Sequence, residues 1–224
     1  MKREYFKAEF INTDDPDDIE KFSLASTVSG DLVAIEIAPN GYVIHNALTQ
    51  DELEYLNNFC RRATQEDWER HYKEMGEKHK QADERNKYTE ENDQNYWYDK
   101  SMMLEDLDFC DRLMERIQPF FGPGYTLPRI TEVHRQQVGE GMDEHADMGH
   151  RKDLLRSMLF YLNDDYEGGE LYFPALNFEY KPKAGDFVTF PSYERYTHGV
   201  RPVLSGSDRY VLAGFAWQAG KPMI

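Results

Sequence analysis

The sequence predicts an α+β fold in which helices from the first half of the chain pack on a β-core built mainly by the second half. Two stretches before residue 120 repeat apolar residues at helical spacing. From about residue 129 that spacing gives way to short apolar segments at 129–138, 155–162, 170–173, 186–190 and 209–217, separated by turn residues. Such a series of short strands is the pattern of a β-sandwich or barrel. No internal repeat or low-complexity tract competes with this assignment.

The elements follow in order. Residues 6–11, 32–37 and 42–44 read as short strands, punctuated by Asp14-Asp15-Pro16-Asp17-Asp18 and Pro39-Asn40-Gly41. A helix starts at Thr49, because Thr49 and Glu52 have capping-box spacing and Leu48 and Leu53 sit where a hydrophobic staple would. Leu53, Leu56 and Cys60 then share one face. Residues 61–87 carry the i, i+4 pairs Glu66/Arg70, Glu69/Lys73 and Glu74/Lys78, the pattern of a solvated helix. Residues 83–95 form a polar loop, followed by Tyr96, Trp97 and Tyr98. A second helix spans about 102–118 with Leu107, Cys110, Met114 and Ile117 on one face, and Pro119 ends it.

Composition narrows the function classes. The 224 residues suit one domain over 1–224 with a sizeable core. Asp plus Glu number 42 against 26 Lys plus Arg, a net charge of −16, which argues against a phosphate backbone as partner. There is no apolar run long enough to cross a membrane. The start, MKREYFKAEF, has no apolar signal-like core, so an intracellular, cytoplasmic location is expected. The only cysteines, Cys60 and Cys110, cannot build a disulfide scaffold or a Cys-rich zinc site and read as small core residues.

His145-Ala146-Asp147, an H-x-D on the rim of a strand, presents its two outer side chains to the same side. His198 follows 53 residues after His145. Two imidazoles and a carboxylate are the ingredients of a facial triad that leaves metal positions open for non-heme Fe(II) chemistry, though zinc accepts the same ligands. Arg209, eleven residues after His198, opens a strand reading RYVLAGFAW. A buried arginine there needs a carboxylate, and a diacid co-substrate chelating the metal at one end would offer one. Tyr161, on a strand between the ligands, could bond the same carboxylate. Taken alone, Arg209 reads better as a surface residue in a loop, paired with Asp208 or with nothing, and Tyr161 as a core aromatic.

The stretch from Gln136 to Trp217 resembles the prolyl 4-hydroxylase-like 2-oxoglutarate/Fe(II)-dependent oxygenases. Four pieces match in order: QVGEGMDEHAD, SMLFYLNDDYEGGELYFP, KPKAGDFVTFPS and HGVRPVLSGSDRY. YVIHNALTQDELEYLNNFC is also similar to that family's opening strand and first helix. The resemblance implies a double-stranded β-helix, a cupin-like jelly-roll core over 129–217, flanked by N-terminal helices, with 1–128 supplying strands, support and substrate-side loops. It implies His145, Asp147 and His198 as iron ligands, and Arg209 with Tyr161 on the distal carboxylate of 2-oxoglutarate. Two departures stand out. Gln136 occupies a position where many relatives carry tyrosine, and Arg209 comes one residue late, so residues 205–208 should form a longer turn.

The expected reaction couples decarboxylation of 2-oxoglutarate by O2 at Fe(II), with ascorbate as an auxiliary reductant, to hydroxylation of a C–H bond. A prolyl or other peptidyl side chain is the first substrate expected from the resemblance; a free amino acid, a small metabolite or a nucleobase stay open. Two rivals are kept: a metal-binding jelly-roll without oxygenase activity, and an interaction module working through the charged residues 61–87. His134 and His150 lie near the motif, and His45, His71 and His79 read as surface or cap residues.

Overall fold

The structure, a computed structural model, describes residues 24–68, 101–148 and 153–220. The expected strand at 6–11, most of the charged helix 61–87, the loop 83–95, Trp97, His71, His79 and His150 lie outside the described residues.

Before the catalytic half come β1 (Val28–Ser29), β2 (Leu32–Ala38), β3 (Gly41–Ile44), helix α1 (Gln50–Arg62), β4 (Ser101–Met103), helix α2 (Leu107–Ile117) and β5 (Tyr125–Thr126). Then follow β6 (Glu132–Gln136), β7 (Met142–His145), β8 (Leu154–Tyr161), β9 (Tyr166–Gly168), β10 (Leu171–Phe173), β11 (Phe178–Tyr180), β12 (Phe187–Pro191), β13 (His198–Val200), β14 (Val203–Gly206) and β15 (Arg209–Gln218).

The strands form two main antiparallel sheets. The larger has the order β1-β2-β3-β12-β8-β15-β6-β4, with β5 also on β15; the smaller is β11-β10-β13-β7. A two-stranded ribbon, β14-β9, lies apart from both. Strand-to-strand alternation sends one set of side chains from each sheet inward. Phe173 of β10 meets Phe190 of β12 edge-on at 4.9 Å, and one continuous core joins the sheets and both helices.

Thr49 caps α1 in a complete capping box with Glu52, and Leu53, Leu56 and Cys60 are buried, as their spacing predicts. The second helix differs from its prediction. It begins at Leu107, capped by the Asp106 side chain accepting from the Phe109 amide at 2.9 Å, while residues 101–103 are the edge strand β4. Its buried face is Phe109, Cys110, Leu113, Met114 and Ile117, and Leu107 is exposed. Pairing of β4 with β6 overrides the local helical pattern there, because a sheet edge satisfies backbone groups that a frayed first turn leaves to water. Arg116 on α2 grips Glu52 of α1 through two hydrogen bonds of 2.6 and 2.7 Å and donates to the Ala47 carbonyl at 2.7 Å, so the cap of one helix also fastens the other.

Candidate metal centre and adjoining pocket

Register builds the site. β13 pairs with β7 so that His198 lies opposite His145, although 53 residues separate them in the chain. The two rings stand 4.4 Å apart. Asp147, two residues past the strand end, turns back toward both: Oδ1 is 3.2 Å from His145 Nε2 and Oδ2 is 3.6 Å from His198 Nε2. One ligand atom from each of the three lies within 4.8 Å of the others.

The surroundings orient these atoms. His145 Nδ1 is 2.8 Å from the Asp143 carbonyl and His198 Nδ1 is 3.0 Å from the Tyr196 carbonyl. A carbonyl only accepts, so each Nδ1 carries a proton, and each ring presents its Nε2 on the Asp147 side. Phe190, edge-on at 4.6 Å, and Phe173 enclose the His198 ring. Burial lowers the His198 pKa. Burial would also raise that of Asp147, but His145, His198 and Ser157 outweigh it and hold the carboxyl below its ordinary value. For His145, burial pulls down, and Asp147 together with Asp143 pulls up and leaves the value raised. A cation binding here needs Asp147 ionised and both rings neutral at Nε2, so it would displace the proton that Asp147 favours on His145. The donor set, two imidazoles and one carboxylate on one side of a cavity, fits Fe(II) with positions left open.

That cavity, of about 540 Å³, lies between the sheets and is lined by His145, Asp147, His198, Ser157 and Arg209 among others. Glu132 and His134 of β6 also line it, with His134 Nε2 3.6 Å from a Glu132 oxygen; sequence reasoning assigned His134 no such place.

Arg209 is 4% exposed and starts β15 in register with Gln136 of β6. Its Nη1 donates to Gln136 Oε1 at 2.5 Å, and its guanidinium lies 5.1 Å from the Tyr161 ring centre. No carboxylate among the described residues forms an ion pair with it, so the alternative of an exposed Arg209 paired with Asp208 does not hold. The longer turn expected over 205–208 does not form: Ser205 and Gly206 end β14, and only Ser207 and Asp208 lead into β15. Gly206 takes φ +95°, Ser207 donates to Asp165 at 2.7 Å, and Asn163 bridges the Asp208 carbonyl at 2.8 Å and the Tyr210 amide at 2.9 Å.

Gly169 explains the Gly-Gly pair of the hairpin. It sits at φ +69°, and a Cβ there would come within 2.7 Å of the Tyr166 ring and 3.0 Å of Arg209 Cδ. The sequence reading missed Ser157, Tyr166 and Gly169 as site neighbours. Only the Gly-Gly pair left a trace in the motif, since Ser157 and Tyr166 sit on β8 and β9 without distinctive spacing.

Residues 131–217 match the family model of the 2OG-Fe(II) oxygenase superfamily. A PKHD-type hydroxylase of Prochlorococcus marinus (strain AS9601) is 32% identical over 102 residues, covering 41% of this chain and 44% of that protein. The chain thus spans less than half the length of this curated relative. Among solved structures, the viral collagen prolyl hydroxylase of Paramecium Bursaria Chlorella virus-1 superposes with a TM-score of 0.54 at 19% identity, over 80% of this chain and 96% of that one. A Pseudomonas putida prolyl-4-hydroxylase gives 0.51 at 21% identity, over 80% and 93%.

The β-core therefore shares the fold of these solved structures, a jelly-roll. The sequence match over residues 131–217 is to the 2OG-Fe(II) oxygenase superfamily, whose description implies Fe(II) and 2-oxoglutarate.

Proposed function

We propose that this protein is a non-heme Fe(II), 2-oxoglutarate-dependent dioxygenase that hydroxylates a C–H bond of its substrate. His145, Asp147 and His198 hold the iron, Arg209 takes the distal carboxylate of 2-oxoglutarate, and Tyr161 assists it. When bound, iron and 2-oxoglutarate supply the oxidising chemistry: O2, 2-oxoglutarate and R–H become succinate, CO2 and R–OH. The chain's own work is to hold, orient and shield. Carbonyls of Asp143 and Tyr196 set the imidazole tautomers, Phe173 and Phe190 keep water from His198, and the sheets enclose the reaction.

The observation that carries this reading is Arg209: a buried guanidinium, without a carboxylate partner among the described residues, on the wall of the same cavity as the triad. Burying an uncompensated cation costs several kcal/mol, so a site built this way anticipates an anion. A metal-binding jelly-roll with no diacid co-substrate has no use for it.

The substrate is a prolyl or other side chain of a peptide or protein. This is supported by the likeness to solved prolyl hydroxylases; a free amino acid or small metabolite is the alternative within the same chemistry. Residues 1–224 act as one domain, with α1 and α2 supporting the β-core. No helix among the described residues is long and apolar enough to cross a membrane. The proposal includes an intracellular site of action, with which two unpaired, buried cysteines are compatible.

The test is succinate release from 2-oxoglutarate with Fe(II), O2 and ascorbate, run over a panel of proline-containing peptides and free amino acids. Asp147→Ala should lose metal binding, and Arg209→Ala should keep metal and lose 2-oxoglutarate affinity. Absence of 2-oxoglutarate binding by the intact, metal-loaded protein refutes the assignment.

A further inference from the structure

We propose that Glu132 determines substrate specificity: its carboxylate receives a cationic group of the substrate, a lysyl or arginyl side chain next to the residue that is hydroxylated. The proposal rests on the function assigned above and narrows the substrate class to a basic peptide.

Among the described residues, the charged side chains lining the cavity are Arg129, Glu132, Asp147 and Arg209, besides the histidines His134, His145 and His198. Asp147 belongs to the triad, and Arg209 is assigned to the co-substrate. Arg129 is held by Asp111, to which it donates twice, at 2.5 and 2.7 Å. Glu132 is the charge that neither the metal nor the co-substrate uses. His134 Nε2 stands 3.6 Å from it, beyond hydrogen-bond distance. An ionised carboxylate has about four acceptor positions, so contacts within the protein do not exhaust it.

Strand register places Glu132 beside the reaction centre. It pairs with Ala213 of β15, and His134 pairs with Val211. On the other side of β15, Phe215 pairs with Ser157 of β8, the residue that donates to Asp147. Glu132 is thus two strand spacings, about 10 Å, across the sheet from Ser157 and two residues along. β15 lies between β8 and β6, yet Ala213, Gly214 and Phe215 are only partly buried, while Leu212 and Ala216 are buried. The cavity therefore opens onto the sheet at these three residues. Opposite the long Glu132 side chain, Ala213 carries only a methyl group and leaves room above the strand. A substrate lying there has the triad on one flank and Glu132 on the other, with Leu159, Val211 and Phe215 as an apolar floor.

Exposure gives the direction of entry. Side-chain exposure falls from 49% at Arg129 and 36% at Glu132 to 8% at Asp147 and 6% at His198, and Arg209 is buried. A substrate entering from solvent meets Glu132 on its way to the metal. The net charge of −16 draws positively charged partners toward the protein, and a carboxylate at the cavity rim selects among them by a charge-assisted hydrogen bond.

The experiment is equilibrium binding, by fluorescence anisotropy, of two dye-labelled nonapeptides to the full chain loaded with Mn(II) and 2-oxoglutarate, without oxygen. Each peptide has a central proline, flanked by lysines in one and by glutamates in the other. The parent should bind the lysine peptide about tenfold more tightly or better. Glu132→Gln should weaken binding of the lysine peptide by about tenfold and leave Mn(II) and 2-oxoglutarate affinities unchanged. Glu132→Lys should prefer the glutamate peptide. Glu54→Gln, which removes the same charge from an exposed position on α1, should change either affinity by less than about twofold. Equal binding of the two peptides by the parent overturns the proposal. So does a preference that Glu132→Gln leaves intact, or that Glu54→Gln reduces as much. Should Glu132→Gln not fold, an unreversed preference in Glu132→Lys overturns it instead. A parent that binds no 2-oxoglutarate refutes the function itself; one that binds 2-oxoglutarate and ignores the charge of the peptide refutes only the role of Glu132.

Discussion

Ser157 donates its hydroxyl hydrogen to Oδ2 of Asp147, linking the middle of β8 to the turn that follows β7. Ser192 stands 2.9 Å behind Ser157 and completes a buried chain of hydroxyls ending on the carboxylate. Asp147 lies beyond the last residue of its strand, so the ladder does not hold it; Ser157 does.

Ser157→Ala should therefore loosen the carboxylate while leaving the fold in place. The expected effect is about a 10–100-fold loss of Mn(II) affinity, typical for removal of a group that orients a metal ligand. Calorimetry of the purified variant reads it directly. Metal affinity equal to the parent would show that the turn alone fixes Asp147.

Gly169→Ala should be costly for two reasons that add. The residue has φ +69°, which an L side chain adopts at a penalty, and the new methyl would press on Tyr166 and Arg209. We expect about 2–4 kcal/mol of destabilisation in urea melts together with weakened 2-oxoglutarate binding. A variant as stable as the parent would mean that the hairpin has more freedom than its packing implies.

The α1–α2 clasp should give a pH-dependent contribution to stability. Burial would raise the Glu52 pKa, but hydrogen bonds from Arg116 and from the Thr49 backbone outweigh it, leaving the folded value below the ordinary 4.5. A lowered folded pKa contributes stability that is fully present above the unfolded value and is lost as pH falls through the folded one. Glu52→Gln should cost about 1–2 kcal/mol near pH 7, allowing for the partial exposure of both side chains. The difference between variant and parent should shrink below about pH 4.5. A difference that stays constant down to pH 3 argues against the ion pair as its source.

Neither cysteine should react in the folded protein. Burial pushes Cys60 up to about 12 and Cys110 up to about 11, so almost no thiolate exists at neutral pH. Maleimide at pH 7.5 should label neither thiol natively and both in urea. Rapid native labelling at Cys60 would indicate that α1 opens.

The sequence by itself determined the local features whose cause is local. The Thr49–Glu52 cap needs only residues three apart, the strands 154–161 and 209–218 announce themselves by apolar runs largely buried in the larger sheet, and 32–38 does so by its apolar run although Val33 and Ile35 are exposed. His145 and Asp147 could be singled out because two positions on one strand rim share a side. The ordered motifs around them named His198 and Arg209 as their partners.

Tertiary structure decided everything that depends on pairing across the fold. Only the β7–β13 register brings His198 against His145, and only the β6–β15 register brings Gln136 to Arg209. Short strands such as 142–145, 178–180 and 198–200 escape pattern reading because their stability comes from neighbours, not from their own composition. The start of α2 moved to 107 for the same reason, since residues 101–103 gain a sheet partner 29 to 33 positions away. The roles of Ser157 and Gln136 arise from which buried polar atoms face which charge. That is a property of three-dimensional hydrogen-bond accounting, and linear spacing does not encode it.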